Sequence, residues 1–338
     1  MRIENSNRVK KRCSVFIILC IFLFLSCSNS NLTTGIIRKA FDKGGYKMNS
    51  ALEKHIPQHV SAIPNEQYDL TDPDAYLDIY LPEQAEQSVA KYPLIVWIHG
   101  GAWVAGSKEQ VANYCKILSG EGYVVAAVNY SLAPRNTYPK PVHQINSALQ
   151  YLMIHSERLS IDTTCIVLAG DSGGAQLAAQ LGTLTTVPAY ASQLAILPTL
   201  QPSQLAGLIL YCGAYDLDKV KLTGKFSGFV KNVLCAYSGD KNFMENEMFA
   251  TLSVYQYVNE DFPPSFISAG NGDPLAEHSY ALAQKLAALG VQVDTLFFEK
   301  EYTPALPHEY QFNLDTDEGQ LALKRSLQFL NNVKSNRK

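Results

Sequence analysis

Ser172 stands in the run Gly170, Asp171, Ser172, Gly173, Gly174, directly after the apolar stretch 165–169 and before the small-residue stretch 175–179. This is G-x-S-x-G between a strand and a helix: a sharp turn lifts the hydroxyl out of the sheet, and glycines stand where side chains would block close packing. A serine used as a nucleophile needs a base to take its proton and an acid to orient that base. His55, His59, His99, His143 and His155 precede Ser172, and only His278 and His308 follow it. His308 lies beyond the apolar run 293–298, in a loop with Pro304 and Pro307, where a catalytic base carried by a loop belongs. His278 falls in a helical pattern five residues after Asp273, too close to that acid to pair with it easily. Asp273 follows the run 265–269 and completes the chain order Ser, Asp, His. Capping a helix that starts near Leu275 is the alternative reading, and Asp216 and Asp218 are rival acids.

A second cluster is His99, Gly100, Gly101, Ala102, Trp103, directly after the apolar run 94–98. Two glycines after a buried strand can turn consecutive N–H groups into one pocket, where they stabilise the oxyanion of a tetrahedral intermediate. A tight turn that simply needs glycine dihedrals is the alternative.

These groups need a scaffold, and the rest of the chain reads as one. Short apolar runs at 76–81, 94–99, 123–129, 165–169, 208–212, 265–269 and 293–298 read as strands, and the central ones are apolar throughout, as doubly covered parallel strands are. Helical patterns lie between them at 109–118, 141–155, 176–182, 275–289 and 320–333. The alternation predicts an α/β domain over 65–338, a mostly parallel central sheet with helices on both faces. Residues 28–64, with amphipathic stretches at 36–41 and 48–55, read as a linker or an N-terminal helical cap.

Residues 2–12 carry Arg2, Arg8, Lys10, Lys11 and Arg12, and 15–25 is an unbroken apolar run. Eleven residues fall short of the roughly 20 a membrane span requires, so a basic leader followed by this run predicts an export signal over 1–27. Its end, Leu25, Ser26, Cys27, resembles a bacterial lipoprotein signal with Cys27 as lipidation site. Ordinary cleavage and an uncleaved membrane anchor are the alternatives.

Composition excludes several classes. Hydrophobic residues are 47% of the 338 and charged residues 17%, against roughly 25% charged in a typical globular domain. The net charge of −3 gives no basic surface for nucleic acid. Cys115, Cys165, Cys212 and Cys235 show no C-x-x-C spacing, and Cys165 and Cys212 read as small buried hydrophobes. There is no G-x-G-x-x-G after a strand, no Walker loop and no H-E-x-x-H, so no cofactor or metal is expected.

Taken together these motifs resemble the α/β-hydrolase superfamily, in particular the hormone-sensitive-lipase-like, kynurenine-formamidase-like and xylan-esterase-like carboxylesterases. The stretch Asn129, Tyr130, Ser131, Leu132, Ala133, Pro134, followed by Tyr138 and Pro139, resembles the Y-R-L-A-P segment of the first group, and Asp273, Pro274, Leu275 resembles its D-x-L. Ala102 stands where that pattern has a third glycine, Gly173 where it has alanine and Ser131 where it has arginine; Ala102 with Trp103 is closer to the H-G-G-x-W of the formamidase-like branch. The resemblance implies the α/β-hydrolase fold, a Ser172, His308, Asp273 triad, and backbone oxyanion donors at Gly101, Ala102 and Gly173, supported by His99, Gly100, Gly170 and Gly174. It implies a carboxylic ester hydrolase of small soluble substrates. An amidase or formamidase using the same residues, and a catalytically silent binding protein of this fold, are the rival readings.

Overall fold

A computed structural model of the chain describes residues 30–86 and 90–336. The expected leader and its Cys27 lie outside the described residues. In chain order the elements are α1 (Ser30–Ala51), β1 (Val60–Gln67), β2 (Tyr76–Pro82), β3 (Tyr92–Ile98), α2 (Lys108–Gly120), β4 (Val124–Val128), α3 (Lys140–Ile154), β5 (Ile161–Asp171) and α4 (Gly173–Thr186). They continue with α5 (Pro188–Gln193), β6 (Leu205–Tyr211), α6 (Ser227–Ser238), α7 (Glu247–Ala250), β7 (Ser265–Ala269), α8 (Ala276–Ala288), β8 (Val293–Phe297) and α9 (Asp317–Ser335). The eight strands form one sheet in the order β1-β2-β4-β3-β5-β6-β7-β8. β1 and β2 are antiparallel additions, and β4 through β8 run parallel with β3 among them.

Side chains alternate across a strand, and here each side of the alternation feeds a separate core. Leu94, Val96 and Ile98 of β3 pack with Val142, Ile145 and Leu149 of α3, Leu177 and Leu181 of α4 and Leu282 and Leu286 of α8. Ile95 and Trp97, on the opposite face, pack with Val111, Tyr114 and Leu118 of α2 and Phe329, Leu330 and Val333 of α9. Both faces of the parallel strands are covered, which is why their sequences show no polar alternation.

The N-terminal part differs from the expectation. Residues 30–51 form one helix rather than two short stretches, and the sheet begins at Val60, before residue 65. β1 escapes notice in the sequence because it is a half-exposed edge strand, VSAIPNEQ, containing Pro64 and a register shift between Ile63 and Glu66. α1 is held by tertiary contacts that outweigh its glycines: Ile37 is buried, the Phe41 and Phe229 rings lie 5.8 Å apart, and Asn49 Oδ1 accepts the Asn113 N–H at 2.9 Å. Among the described residues no helix is long and apolar enough to cross a membrane. Cys115, Cys165, Cys212 and Cys235 are all buried.

Candidate active site

Ser172 occupies the sharp turn between β5 and α4, with φ 50° and ψ −118°, a conformation that residues other than glycine seldom adopt. Its own N–H donates to Tyr211 O at 2.8 Å, tying the turn to the end of β6. Gly174 is required here: a Cβ on it would stand 2.0 Å from Ile98 O, and one on Gly170 would stand 2.6 Å from the Gly174 carbonyl carbon. The serine is 8% exposed. This is more enclosed than an open turn suggests, because the His308 ring bonds to the hydroxyl and Gly173 faces the Ala102 to Trp103 turn.

The structure brings Ser172, His308 and Asp273 together across 136 and 35 residues of chain. His308 Nε2 lies 2.9 Å from Ser172 Oγ and Nδ1 lies 3.0 Å from Asp273 Oδ1. In the tautomer that satisfies both contacts, Nδ1–H donates to the carboxylate and Oγ–H donates to Nε2. The Asp273 side chain is fully shielded from solvent. Its Oδ1 also accepts the Leu275 N–H at 2.7 Å, so one oxygen contacts the imidazole and ties down the start of α8 at once. Of the rival acids, Asp216 accepts the N–H of Asp218 within its own turn, and neither bonds to His308. His278 is buried, and burial, with Lys219 nearby, lowers its pKa to about 4. Around His308 burial disfavours the imidazolium, but the Cys212 sulfur, the Asp273 carboxylate and Glu309 outweigh it and hold the ring well above the ordinary 6.5.

Asn271, which the sequence reading passed over, joins the two loops. Its Oδ1 accepts the Leu306 N–H at 2.8 Å and its Nδ2 donates to Tyr302 O at 2.9 Å, while Gly272 N–H donates to Leu306 O at 2.9 Å. An asparagine between two glycines in a loop is the signal that was available.

The His99 to Trp103 segment turns sharply. Gly101 has φ 108°, and Ala102 and Trp103 both have positive φ, 52° and 58°. Among the hydrogen bonds of the described residues, none is donated by the N–H groups of Gly101, Ala102 or Gly173, and the Ala102 nitrogen faces Gly173. Neighbours fix the turn. His99, whose pKa burial pushes down to about 4, is neutral and donates from Nδ1 to Gly100 O at 2.8 Å while stacking on Tyr130 at 4.3 Å. Trp103 Nε1 donates to Gln176 Oε1 at 3.2 Å, and its ring stacks on Tyr237 at 4.8 Å. Gly100 N–H and Trp97 Nε1–H both donate to Asp171, at 2.8 and 2.9 Å. Burial raises the Asp171 carboxyl well above its ordinary range, with Glu309 adding to the effect. α1 braces the outer side: Arg38 donates to Val104 O and Ala133 O at 2.7 and 2.8 Å, and Asp42 Oδ1 accepts Gly106 N–H at 3.2 Å. The stretch that reads as a linker or an N-terminal helical cap is a helix that supports the loop beside the serine.

The sheet order, the strand-to-helix turn bearing Ser172 and the loop histidine define an α/β-hydrolase fold. In solved structures the likeness extends over nearly the whole chain: esterase B from Lactobacillus rhamnosus superposes with a TM-score of 0.76, covering 91% of this chain and 98% of that one at 20% identity, and an esterase from Pyrobaculum calidifontis with 0.68, covering 94% and 97% at 21%. The chain belongs to the BD-FAE family, which it matches over residues 77–286, a span that includes Ser172 and Asp273 and ends before His308. Among curated relatives, the esterase LipC of Mycobacterium tuberculosis is 24% identical over 224 residues, 64% of this chain and 53% of that protein. An acetyl esterase of Salmonella schwarzengrund is 27% identical over 225 residues, 64% of each. The chain thus spans between half and two thirds of the length of these relatives.

Proposed function

We propose that the protein is a serine hydrolase of carboxylic esters. The observation that carries this reading is the His308 imidazole bridging Ser172 Oγ and Asp273 Oδ1 at 2.9 and 3.0 Å. Ser172 attacks the ester carbonyl as His308 takes its proton, and the carbonyl oxygen becomes an oxyanion facing the free N–H groups of Gly101, Ala102 and Gly173. His308, held by Asp273, returns the proton to the leaving alcohol. Water then attacks the acyl-serine with His308 again as base, giving the acid and the free enzyme. Esters are favoured over amides because the relatives named above are esterases. Small, soluble substrates suit the enclosed serine. The test is kcat/KM on p-nitrophenyl acetate and on matched formyl and acetyl anilides. Ester turnover lost in Ser172→Ala supports the reading; turnover that survives it, or anilides hydrolysed faster than esters, overturns it.

A further inference from the structure

The residue after β6 is not one of the three groups of the proposed relay and yet sits beside them. Cys212 has φ 46°, is fully buried, and its N–H donates to Ser268 O at 2.9 Å. Its sulfur, one carboxylate oxygen of Asp273 and one ring nitrogen of His308 all lie within 4.8 Å of one another. Thiol, imidazole and carboxylate are the three donor types that zinc binds, at about 2.3, 2.0 and 2.1 Å. A tetrahedral ion with such bonds needs donors roughly 3.3 to 3.8 Å apart, so donors that start within 4.8 Å would draw together on binding. A second observation points the same way. Asp273 Oδ1 is occupied by Leu275 and His308, whereas Oδ2 is buried without a hydrogen-bond partner among the described residues. A buried carboxylate oxygen left unpaired is costly, and a cation would satisfy it.

We propose that Cys212, Asp273 and His308 form a binding site for a thiophilic divalent cation such as Zn²⁺, and that the bound ion switches the enzyme off. The first half stands on the donor cluster alone; the second rests on the hydrolase reading above. On binding, the Cys212 S–H bond is lost, its proton leaves to solvent, and the thiolate, one Asp273 oxygen and His308 Nδ1 each give an electron pair to the ion. The ring proton moves from Nδ1 to Nε2. An imidazole protonated at Nε2 cannot accept the Ser172 proton, so inhibition follows from the ligation itself. Hard cations such as Mg²⁺ prefer oxygen donors and leave the site alone.

The test uses the full chain, metal alone and metal-buffered solutions. Co²⁺ serves as the spectroscopic stand-in for Zn²⁺, and a thiolate-to-Co²⁺ charge-transfer band should appear at one equivalent in wild type and in Ser172→Ala, whose nucleophile is not a ligand. It should be absent in Cys212→Ser. In parallel, Zn²⁺ should abolish ester hydrolysis reversibly by chelator, Mg²⁺ should not, and Cys212→Ser should require at least about tenfold more Zn²⁺ for half-inhibition relative to its own metal-free rate, the scale on which even outer-shell changes weaken metal sites. Cys212→Ala is the alternate variant should serine disturb folding. No charge-transfer band in wild type, or equal Zn²⁺ sensitivity in wild type and both Cys212 variants, overturns the proposal. A band without ester hydrolysis in any form would sink the hydrolase reading and leave the metal site standing.

Discussion

Asn271 Oδ1 accepts the backbone N–H of Leu306 at 2.8 Å, and this bond joins the loop that carries Asp273 to the loop that carries His308. Asp273 and His308 sit on separate connections, after β7 and after β8, so their 3.0 Å contact depends on how these loops are held together. Asn271→Ala should lower kcat by about 10- to 100-fold, the cost of misplacing a reacting group by a fraction of an ångström to an ångström, with KM nearly unchanged. A steady-state comparison of the two parameters checks it. A rise in KM alone would show that the bond shapes substrate binding instead.

The environment of His308 predicts the pH profile. A base acts when deprotonated, and the ring is held above the ordinary 6.5, so kcat/KM should rise with pH through a limb above that value. Asp273→Asn removes one of the charges that stabilise the imidazolium, so the limb should move down. It also removes the anchor for the correct tautomer, and the rate should fall by about 10⁴. Asp216→Asn, which disturbs only a local turn, should leave both limb and rate nearly unchanged. Should Asp216→Asn prove the damaging change, the acid is misassigned.

His99 and His278 predict acid sensitivity of the fold. Burial, for His278 together with Lys219, lowers both to about 4 in the folded protein. The unfolded chain takes up a proton on each near 6.5, while the folded chain resists until about 4. Each depressed histidine therefore contributes stability present above 6.5 and lost as pH falls toward 4, up to about 3 kcal/mol apiece. Urea midpoints at steps from pH 7 to 4.5 should fall less steeply in His278→Gln than in wild type. Parallel slopes would contradict the buried neutral ring.

The backbone of the turn after β3 separates two substitutions that look alike. Ala102 already sits at φ 52° and the role proposed for it requires only an N–H, so Ala102→Gly should keep activity within severalfold and change stability by at most about 1 kcal/mol. Gly101 at φ 108° has no room, since a Cβ would stand 2.1 Å from Ala105 O. Gly101→Ala should cost at least about 100-fold in kcat, the scale of losing one oxyanion donor. Equal activity in the two variants would remove this turn from the mechanism.

Much of this site was legible before the fold was known, for a physical reason. The turn at Ser172 and the turn at Gly101 demand glycine at fixed offsets, and the strands that deliver them are apolar on both faces, so local chemistry leaves marks in local sequence. Asp273 carried two meanings, helix capping and acid, and the structure shows the atom that does one also touches His308. What stayed hidden depends on long-range contacts. α1 is specified by Arg38, Asp42 and Asn49 reaching residues 64 to 95 positions away, and β1 exists through its partner β2 rather than its own pattern. Cys212 looked like any small buried residue, because nothing in a single sequence places it beside His308.

The enclosed serine sets an expectation for substrate size. Each additional buried CH₂ gains about 0.8 kcal/mol only while there is room for it. Along a p-nitrophenyl ester series kcat/KM should peak between acetyl and butyryl and then fall. A rate that climbs through long-chain esters, or jumps when substrate forms an oil-water interface, would mark a lipase.

The proposed hydrolysis rests on transfer of the acyl group to Ser172. Acid quench during turnover of p-nitrophenyl acetate, followed by peptide mass spectrometry, tests it most directly. One acetyl group is expected on the peptide bearing Ser172, enriched when Gly101→Ala or low pH slows deacylation and absent in Ser172→Ala. Turnover with no acyl-peptide under any of these conditions, or with the acetyl group on another residue such as Cys212, would contradict it.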